Sequence, residues 1–559
     1  MIERLANRRI RLLLALFVLA FGATLARAFW LQAVRAQALG HRAASQHREA
    51  ITLPAGRGTM VDRTGVQLAI GEEATTVYAN PREVAQPRAV ARAAGRALGL
   101  EPEALYPLLV DRSRGFVYLQ RKADPARAAA FRLQKPAGVG FYAEERRTYP
   151  QRTVAAQVLG FAGVDNRGLT GLELALDRTL AGRPGRQIVV KDPLGRVIDV
   201  VGFRPEEPGR DVVLTLDHTV QANAEAVLRT TVRKWRARSA TAVVLDPRTG
   251  AVLAMAIAPG FDANSYPSAP RALQRNRAVT DTYEPGSTYK LVTVAAALTE
   301  KLVTPSTAYT LPYSIQVADR VIHEAEERDT ETMSVAQILS RSSNVGAVTL
   351  AQQLGKERLA RWIARFGFGR ATGIDFPGES RGIVLPPERW SGSTIGNVPI
   401  GQGIAVTPIQ MAAAYAAIAN GGVAIRPHLV DRVAGFPRPR TERRRVVPRV
   451  VAAQLNTMLR LVVTEGTGTM AAVPGYTVAG KTGTAAKPQS DGGYSDSRYV
   501  ASFVGFVPAT KPRLVILVTV DEPRGAIWGG VVAAPAFAEI ARFNLQYLEV
   551  QPDSPLPPG

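Results

Sequence analysis

The chain contains no cysteine, which excludes disulfides and thiolate metal sites. Its five histidines (His41, His47, His218, His323 and His428) have no metal-ligand spacing, so neither a metal nor another cofactor is expected. Lysine is scarce as well: ten lysines stand beside 59 arginines in 559 residues, for a net charge of +22. The imbalance bears on chemistry, because arginine keeps its proton whereas a desolvated lysine can lose it. The basic residues are spread along the whole chain and are not interleaved with aromatics, which make up only 7%. That argues against nucleic acid as a partner and for a diffuse basic surface facing an anionic one.

One apolar run is long. Arg4, Arg8, Arg9 and Arg11 precede Leu12 to Ala26, and the pattern continues past Arg27 through Trp30 to Val34. A cleaved signal peptide, with Ala26-Arg27-Ala28 as a small-x-small site, is one reading. The reading adopted is an uncleaved anchor, since the run is long enough to span a bilayer. On this reading residues 1–11 are a cytoplasmic tail and 12–34 a transmembrane anchor, with everything after Arg35 outside. Ala33 to Ala50, including His41 and His47, has the spacing of a polar helical continuation.

From Ile51 the chain turns to short strands and helices. Arg88 to Leu98 and Pro125 to Gln134 are expected to be helical, and Gln187 to Val200 alternates like a hairpin turning at Pro193-Leu194-Gly195. No nucleophile–base pair occurs here, so residues 35–235 are expected to form an α+β pedestal for docking or spacing. Arg57, Asp62, Arg146 and Glu173 are either an interdomain ion network or solvated.

The remainder, 236–547, carries three motifs. Thr241 to Leu245 and Ala251 to Ala256, joined by Asp246-Pro247-Arg248-Thr249-Gly250, signal a hairpin. Tyr283-Glu284-Pro285-Gly286-Ser287-Thr288-Tyr289-Lys290 then runs into the apolar stretch Leu291 to Leu298, which has the character of a buried helix. Ser287 and Lys290 fall one turn apart on one face. A serine hydroxyl is a weak nucleophile without a base in reach, and this spacing supplies one. Next, Ser342 and Asn344 lie two apart on a break between two helical segments, where the simpler role is an N-cap. Last, a strand leads into Gly480-Lys481-Thr482-Gly483-Thr484. Lys481, Thr482 and Thr484 suit a substrate carboxylate, and Gly483 permits close approach. Tyr499 to Val507 and Leu514 to Val520 complete an antiparallel meander, with the lysine strand at its edge. The tail Gln551 to Gly559 has the composition of a disordered segment, and 548–559 is assigned to it.

In this order S-x-x-K, S-x-N and K-T-G resemble the set carried by penicillin-binding proteins and serine β-lactamases. From the anchor to about residue 545 the chain resembles class B penicillin-binding proteins. Arg57 to Gly65 is similar to their R-G-x-I-x-D-R-x-G pedestal motif, with Met60 for isoleucine, and Gly168 to Glu173 to their G-x-x-G-L-E motif. Tyr283 to Lys290, Ser342 to Gly346 and Gly401 to Pro408 resemble the cell-division (FtsI-like) branch, with Tyr289 for phenylalanine. The elongation branch more often has P-P-G-S and S-x-D.

The resemblance implies a membrane helix, a pedestal, and an α/β penicillin-binding transpeptidase domain with an antiparallel sheet flanked by helices. It implies a peptidoglycan D,D-transpeptidase in septal wall synthesis, inhibited by β-lactams. Ser287 would attack the D-Ala-D-Ala carbonyl and Lys290 would take its proton. Ser342 would relay a proton to the leaving amine, and Asn344 would orient Lys290 and the substrate. Lys481, Thr482, Gly483 and Thr484 would bind substrate, and the backbone N–H groups of Ser287 and Thr484 would form the oxyanion hole. Implied partners are stem peptides, a SEDS-family (FtsW-like) glycosyltransferase and other division-complex membrane proteins, with the catalytic domain periplasmic. The alternatives are an elongation-type class B enzyme and a noncatalytic division scaffold or β-lactam sensor. A class A β-lactamase would need E-x-x-L-N, which Glu388-Arg389-Trp390 does not supply.

Overall fold

The N-terminal run forms a helix, Ile2–Phe29, ending in a wider turn, Trp30–Val34. Among the described residues it is the one helix long and apolar enough to cross a membrane. Leu12, Phe17, Leu19 and Phe21 all stand exposed on it. An apolar stretch left unburied among the described residues is suited to lipid. The computed structural model describes residues 2–35, 48–191, 197–438, 441–489 and 493–555. The expected polar continuation with His41 and His47, and the expected turn at Pro193-Leu194-Gly195, lie outside these residues.

The chain divides into two units. The first contains the N-terminal helix and a three-stranded antiparallel sheet of Arg48–Leu53, Gly185–Lys191 and Val197–Arg204. The hairpin expected over 187–200 is the second pair of these strands.

The second unit holds the rest of the pedestal and the catalytic domain. In the pedestal the long strand Gln67–Ala79 pairs antiparallel with Val139–Thr148 and Val117–Ala123. Helices Pro87–Leu98, Pro102–Val110 and Pro125–Leu133 pack on it through Ala94, Leu98, Leu109 and Phe131. Each begins with proline in its first turn, where the missing N–H costs nothing.

Of the four residues considered for an interdomain ion network, Arg57 and Glu173 form one within the pedestal, while Arg146 and Asp62 stand outside it. Arg57 and Glu173, at 1% and 0% exposure, pair at 2.6 Å, and Asp177 takes a second Arg57 nitrogen at 2.8 Å. The other buried arginine on Glu173 is Arg147, at 2.6 Å. Arg146, its neighbour in the strand, points the other way and meets half-exposed Glu72. Strand alternation decides between them. Asp62 instead secures a turn: it accepts from Thr64 and Val66 and from the main-chain N–H of His218, whose ring Nδ1 lies 3.0 Å away.

The catalytic sheet is five-stranded and antiparallel, in the order Val252–Ala258, Ser239–Leu245, Leu514–Asp521, Tyr494–Val507, Ala479–Pro488. The unbroken apolar run Leu514 to Val518 follows from burial on both faces. Leu514, Ile516 and Val518 pack on helices His218–Trp235 and Ala534–Tyr547, while Val515 and Leu517 face the opposite core with Leu291 and Tyr415. The helix His218–Trp235, counted above with the pedestal, thus packs on the catalytic sheet, and that body starts earlier than residue 236.

The tail also differs from expectation up to residue 555. Leu548 and Val550 pack against the core. Asp553 accepts from the Thr477 N–H at 2.7 Å and from the hydroxyls of Thr477 and Thr510. A proline-rich composition did not foretell one aspartate with three donors waiting.

Replacing Glu173 by Gln leaves buried Arg147 without a countercharge and Arg57 with Asp177 alone, and we expect a stability loss of about 3–5 kcal/mol. Chemical denaturation of the purified protein measures it; a loss below about 1 kcal/mol would mean the network is solvated.

Candidate active site

The nucleophile turn is built by its glycine. Gly286 has φ +54, in the left-handed region, and a Cβ there would stand 2.8 Å from the Thr484 carbonyl oxygen. Its N–H donates to the Gly401 carbonyl at 3.1 Å. Ser287 follows in a 3-10 turn, Gly286–Tyr289, and the α-helix proper starts at Lys290 and runs to Thr299. The Thr288 hydroxyl donates to the Pro285 carbonyl and the Tyr415 hydroxyl to the Thr288 carbonyl, each at 2.8 Å. These bonds fix the turn from both sides. Ser287 is half-buried, whereas Lys290 is fully buried one turn below it.

The Lys290 ammonium position is defined by the second motif. Its Nζ lies 2.7 Å from Asn344 Oδ1 and 3.3 Å from Ser342 Oγ, and it also donates to the Ser342 carbonyl. Burial pushes its pKa down to about 7, with Glu324 pulling the other way. A lysine at that value is a competent base near neutrality.

The turn between helices Val335–Ser340 and Asn344–Leu354 does include an N-cap, and it is Ser343, whose side chain accepts from the Gly346 N–H. Capping by Ser343 frees Ser342 and Asn344 to face the lysine. Ser342 is held at φ +64, a conformation that costs a non-glycine residue about 1–2 kcal/mol. Glu324 holds this turn, accepting from the Ser343 hydroxyl at 2.5 Å, the Asn344 N–H at 2.7 Å and Arg328 at 2.8 Å. The Asn344 amide nitrogen donates to the His323 carbonyl at 2.9 Å, leaving its oxygen for Lys290.

The third motif lies on the edge strand Ala479–Pro488, as expected. Gly483 is where this strand meets the nucleophile turn: an added Cβ would lie 2.8 Å from the Pro285 carbonyl oxygen and 2.9 Å from Thr288 Cγ2. Lys481 is fully buried, with Nζ 3.2 Å from the Thr482 carbonyl and 3.3 Å from its hydroxyl. Burial, then repulsion from Lys290, holds its pKa well below the usual lysine range. Thr482 Oγ1 lies 2.6 Å from Thr467 Oγ1, and Thr484 Oγ1 accepts from the Gly529 N–H at 3.1 Å.

Ser287, Ser342, Asn344, Thr482 and Thr484 line one cleft of about 600 Å³. Lys290 and Lys481 are absent from its lining and sit behind it, which is why their amines are desolvated. Glu324, Thr467, Gly529 and Trp528 also belong to the cleft and were not singled out in the sequence. Trp528-Gly529-Gly530 offered a signal, two glycines beside a large aromatic; Glu324 offered none. Among the described residues one group has metal-ligand proximity, Asp62, Asp217 and His218. It lies away from the cleft, and its carboxylates already accept from Thr64, Val66, His218, Thr219 and Val220.

Residues 240–542 match the penicillin binding protein transpeptidase domain, and residues 52–214 match the penicillin-binding protein dimerisation domain. The chain belongs to the class B penicillin-binding proteins. It is 34% identical to stage V sporulation protein D of Bacillus subtilis, over 98% of this chain and 88% of that one. It is 33% identical to peptidoglycan D,D-transpeptidase FtsI of Escherichia coli, over 98% and 93%. The crystal structure of penicillin-binding protein 3 from Mycobacterium tuberculosis complexed with aztreonam superposes with a TM-score of 0.71 at 32% identity, covering 90% of this chain and 99% of that one.

In a penicillin-binding protein of this geometry, Gly483→Ala forces the edge strand off the nucleophile turn. A displacement near 1 Å costs about 100-fold in rate. We expect at least that loss in β-lactam acylation, read by stopped-flow with a chromogenic cephalosporin; acylation within about threefold of wild type would contradict the contact.

Proposed function

We propose that this chain cross-links peptidoglycan stem peptides as a serine-type D,D-transpeptidase in septal wall synthesis. The observation that carries the reading is Lys290, fully buried beneath Ser287 with Nζ on Asn344 Oδ1 and near Ser342 Oγ. Neutral Lys290 takes the proton as Ser287 Oγ bonds to the carbonyl carbon of the penultimate D-alanine. The oxyanion that forms is held by the main-chain N–H groups of Ser287 and Thr484. The C–N bond to the terminal D-alanine breaks, and its amine receives a proton through Ser342. Asn344 keeps Lys290 aimed throughout. The amine of a second stem peptide then attacks the acyl carbon, the new amide forms, and Ser287 Oγ regains its proton.

The substrate carboxylate lies against the Thr482 and Thr484 hydroxyls, with Gly483 allowing the approach. Its arrival beside buried Lys481 restores that amine's proton, so carboxylate binding and lysine charge are coupled. A β-lactam ring places a strained amide at the same position and acylates Ser287 without a leaving group that diffuses away.

The division assignment rests on Tyr283 to Lys290, Ser342 to Gly346 and Gly401 to Pro408. The N-terminal helix anchors the enzyme in the cytoplasmic membrane, with the catalytic domain in the periplasm. It and the pedestal are the contact surfaces for an FtsW-like glycosyltransferase and division-complex proteins.

Incubation with benzylpenicillin should add the mass of one inhibitor to the intact protein, persistently, and Ser287→Ala should abolish the adduct. Depletion of the protein in cells should give filaments. An unlabelled wild type, or rapid turnover of the adduct, would contradict the transpeptidase; round cells would contradict the septal role.

A further inference from the structure

The second unit contains a larger concavity than the catalytic cleft, of about 1060 Å³, and its lining is cationic. Arg361, Arg365, Arg370, Arg426, Arg443 and Arg444 line it, against two carboxylates, Glu300 and Glu442. Elsewhere in the catalytic domain arginines have found acids: Arg328 with Glu324, Arg341 with Glu331, Arg438 with Asp431. None of the six has such an ion pair among the described residues. Glu300 is occupied by the Trp362 indole N–H at 2.8 Å.

The arginines are placed there by the fold. Arg365 Nε donates to the Val446 carbonyl at 2.7 Å, and its guanidinium lies 5.0 Å over the Trp362 ring. Arg444 donates to the Arg365 carbonyl at 2.6 Å. Arg426 Nε is buried with no partner among the described residues. Burial, then repulsion from Arg365 and Arg370, lowers the Arg444 pKa. Like charges are thus held close, one donor is left open, and among the described residues the six arginines outnumber the two carboxylates of the lining.

We propose that this cavity is an anion-binding site for a phosphate-bearing ligand of the diphosphate class, separate from the catalytic cleft. Guanidinium forks pair bidentately with phosphate oxygens, and a doubly charged tetrahedral anion can engage several forks together where a single carboxylate engages one. Trp362, Phe366 and Ile425 add an apolar wall, so the ligand carries more than phosphate alone. The diphosphate belongs either to a soluble molecule or to a lipid headgroup.

The test is calorimetric titration of the full chain, in phosphatidylcholine nanodiscs, with inorganic pyrophosphate. Arg361 and Arg370 are exposed, which suits them to substitution. Saturable binding is expected, weakening as salt rises. In Arg361→Ala/Arg370→Ala it should weaken about tenfold or more, and in the paired Lys variant by less, because charge remains while the forks are lost. Penicillin acylation of Ser287 should be unchanged in both variants, which also reports folding. Competition by phosphatidylcholine vesicles doped with a prenyl diphosphate lipid would assign the ligand to a headgroup; its absence would assign it to a soluble diphosphate. No saturable pyrophosphate binding in the wild type, or equal affinity in the Ala variant, would overturn the site.

Discussion

An ammonium ion taken out of water loses several kcal/mol of solvation, and a protein that buries one must either pair it or let it become neutral. The helix Lys290–Thr299 buries every side chain from Lys290 to Leu298. The acid that acts on Lys290, Glu324, spends its oxygens on Ser343, Asn344 and Arg328. Lys290 therefore meets neutral oxygens from Ser342 and Asn344, and its proton is loosely held. The catalytic sheet, the capped turn at Ser343 and the close approach of the edge strand at Gly483 all keep water from that amine. Lys481 is buried nearby, and there burial, then repulsion from Lys290, lowers the pKa.

Much of this was legible in the sequence because the motifs are local. Ser287 and Lys290 are three apart, and a helix following Pro285 and Gly286 must place them on one face. The sheet was legible because of apolar runs bounded by turn residues, as in Leu514 to Val518. The meeting of three motifs separated by some two hundred residues was carried by resemblance, and the structure gives the physical reason for it in the glycines Gly286, Gly401 and Gly483, each of which touches another segment's backbone.

What was illegible is equally specific. Glu324 lies in an irregular segment with no periodicity, and its role exists only after folding brings it to Asn344. Arg147 and Arg146 are adjacent and chemically identical, so only strand register separates the buried partner of Glu173 from the half-exposed one. The helix His218–Trp235 is amphipathic, and nothing in its pattern says which sheet it covers. Composition misled at the C-terminus, where one aspartate among prolines finds Thr477 and Thr510. The arginine excess, which looked diffuse along the sequence, is gathered by the fold in one cavity where six arginines face two carboxylates.

The pH dependence of Ser287 acylation by a β-lactam tests the central claim most directly. If neutral Lys290 is the base, the second-order rate constant rises with pH as the ammonium loses its proton. It should increase about tenfold per pH unit on the acid side and level off above the Lys290 pKa of about 7. A rate that is flat across the acid side, or that keeps climbing toward the ordinary lysine value of 10.5, would contradict a base made neutral by burial.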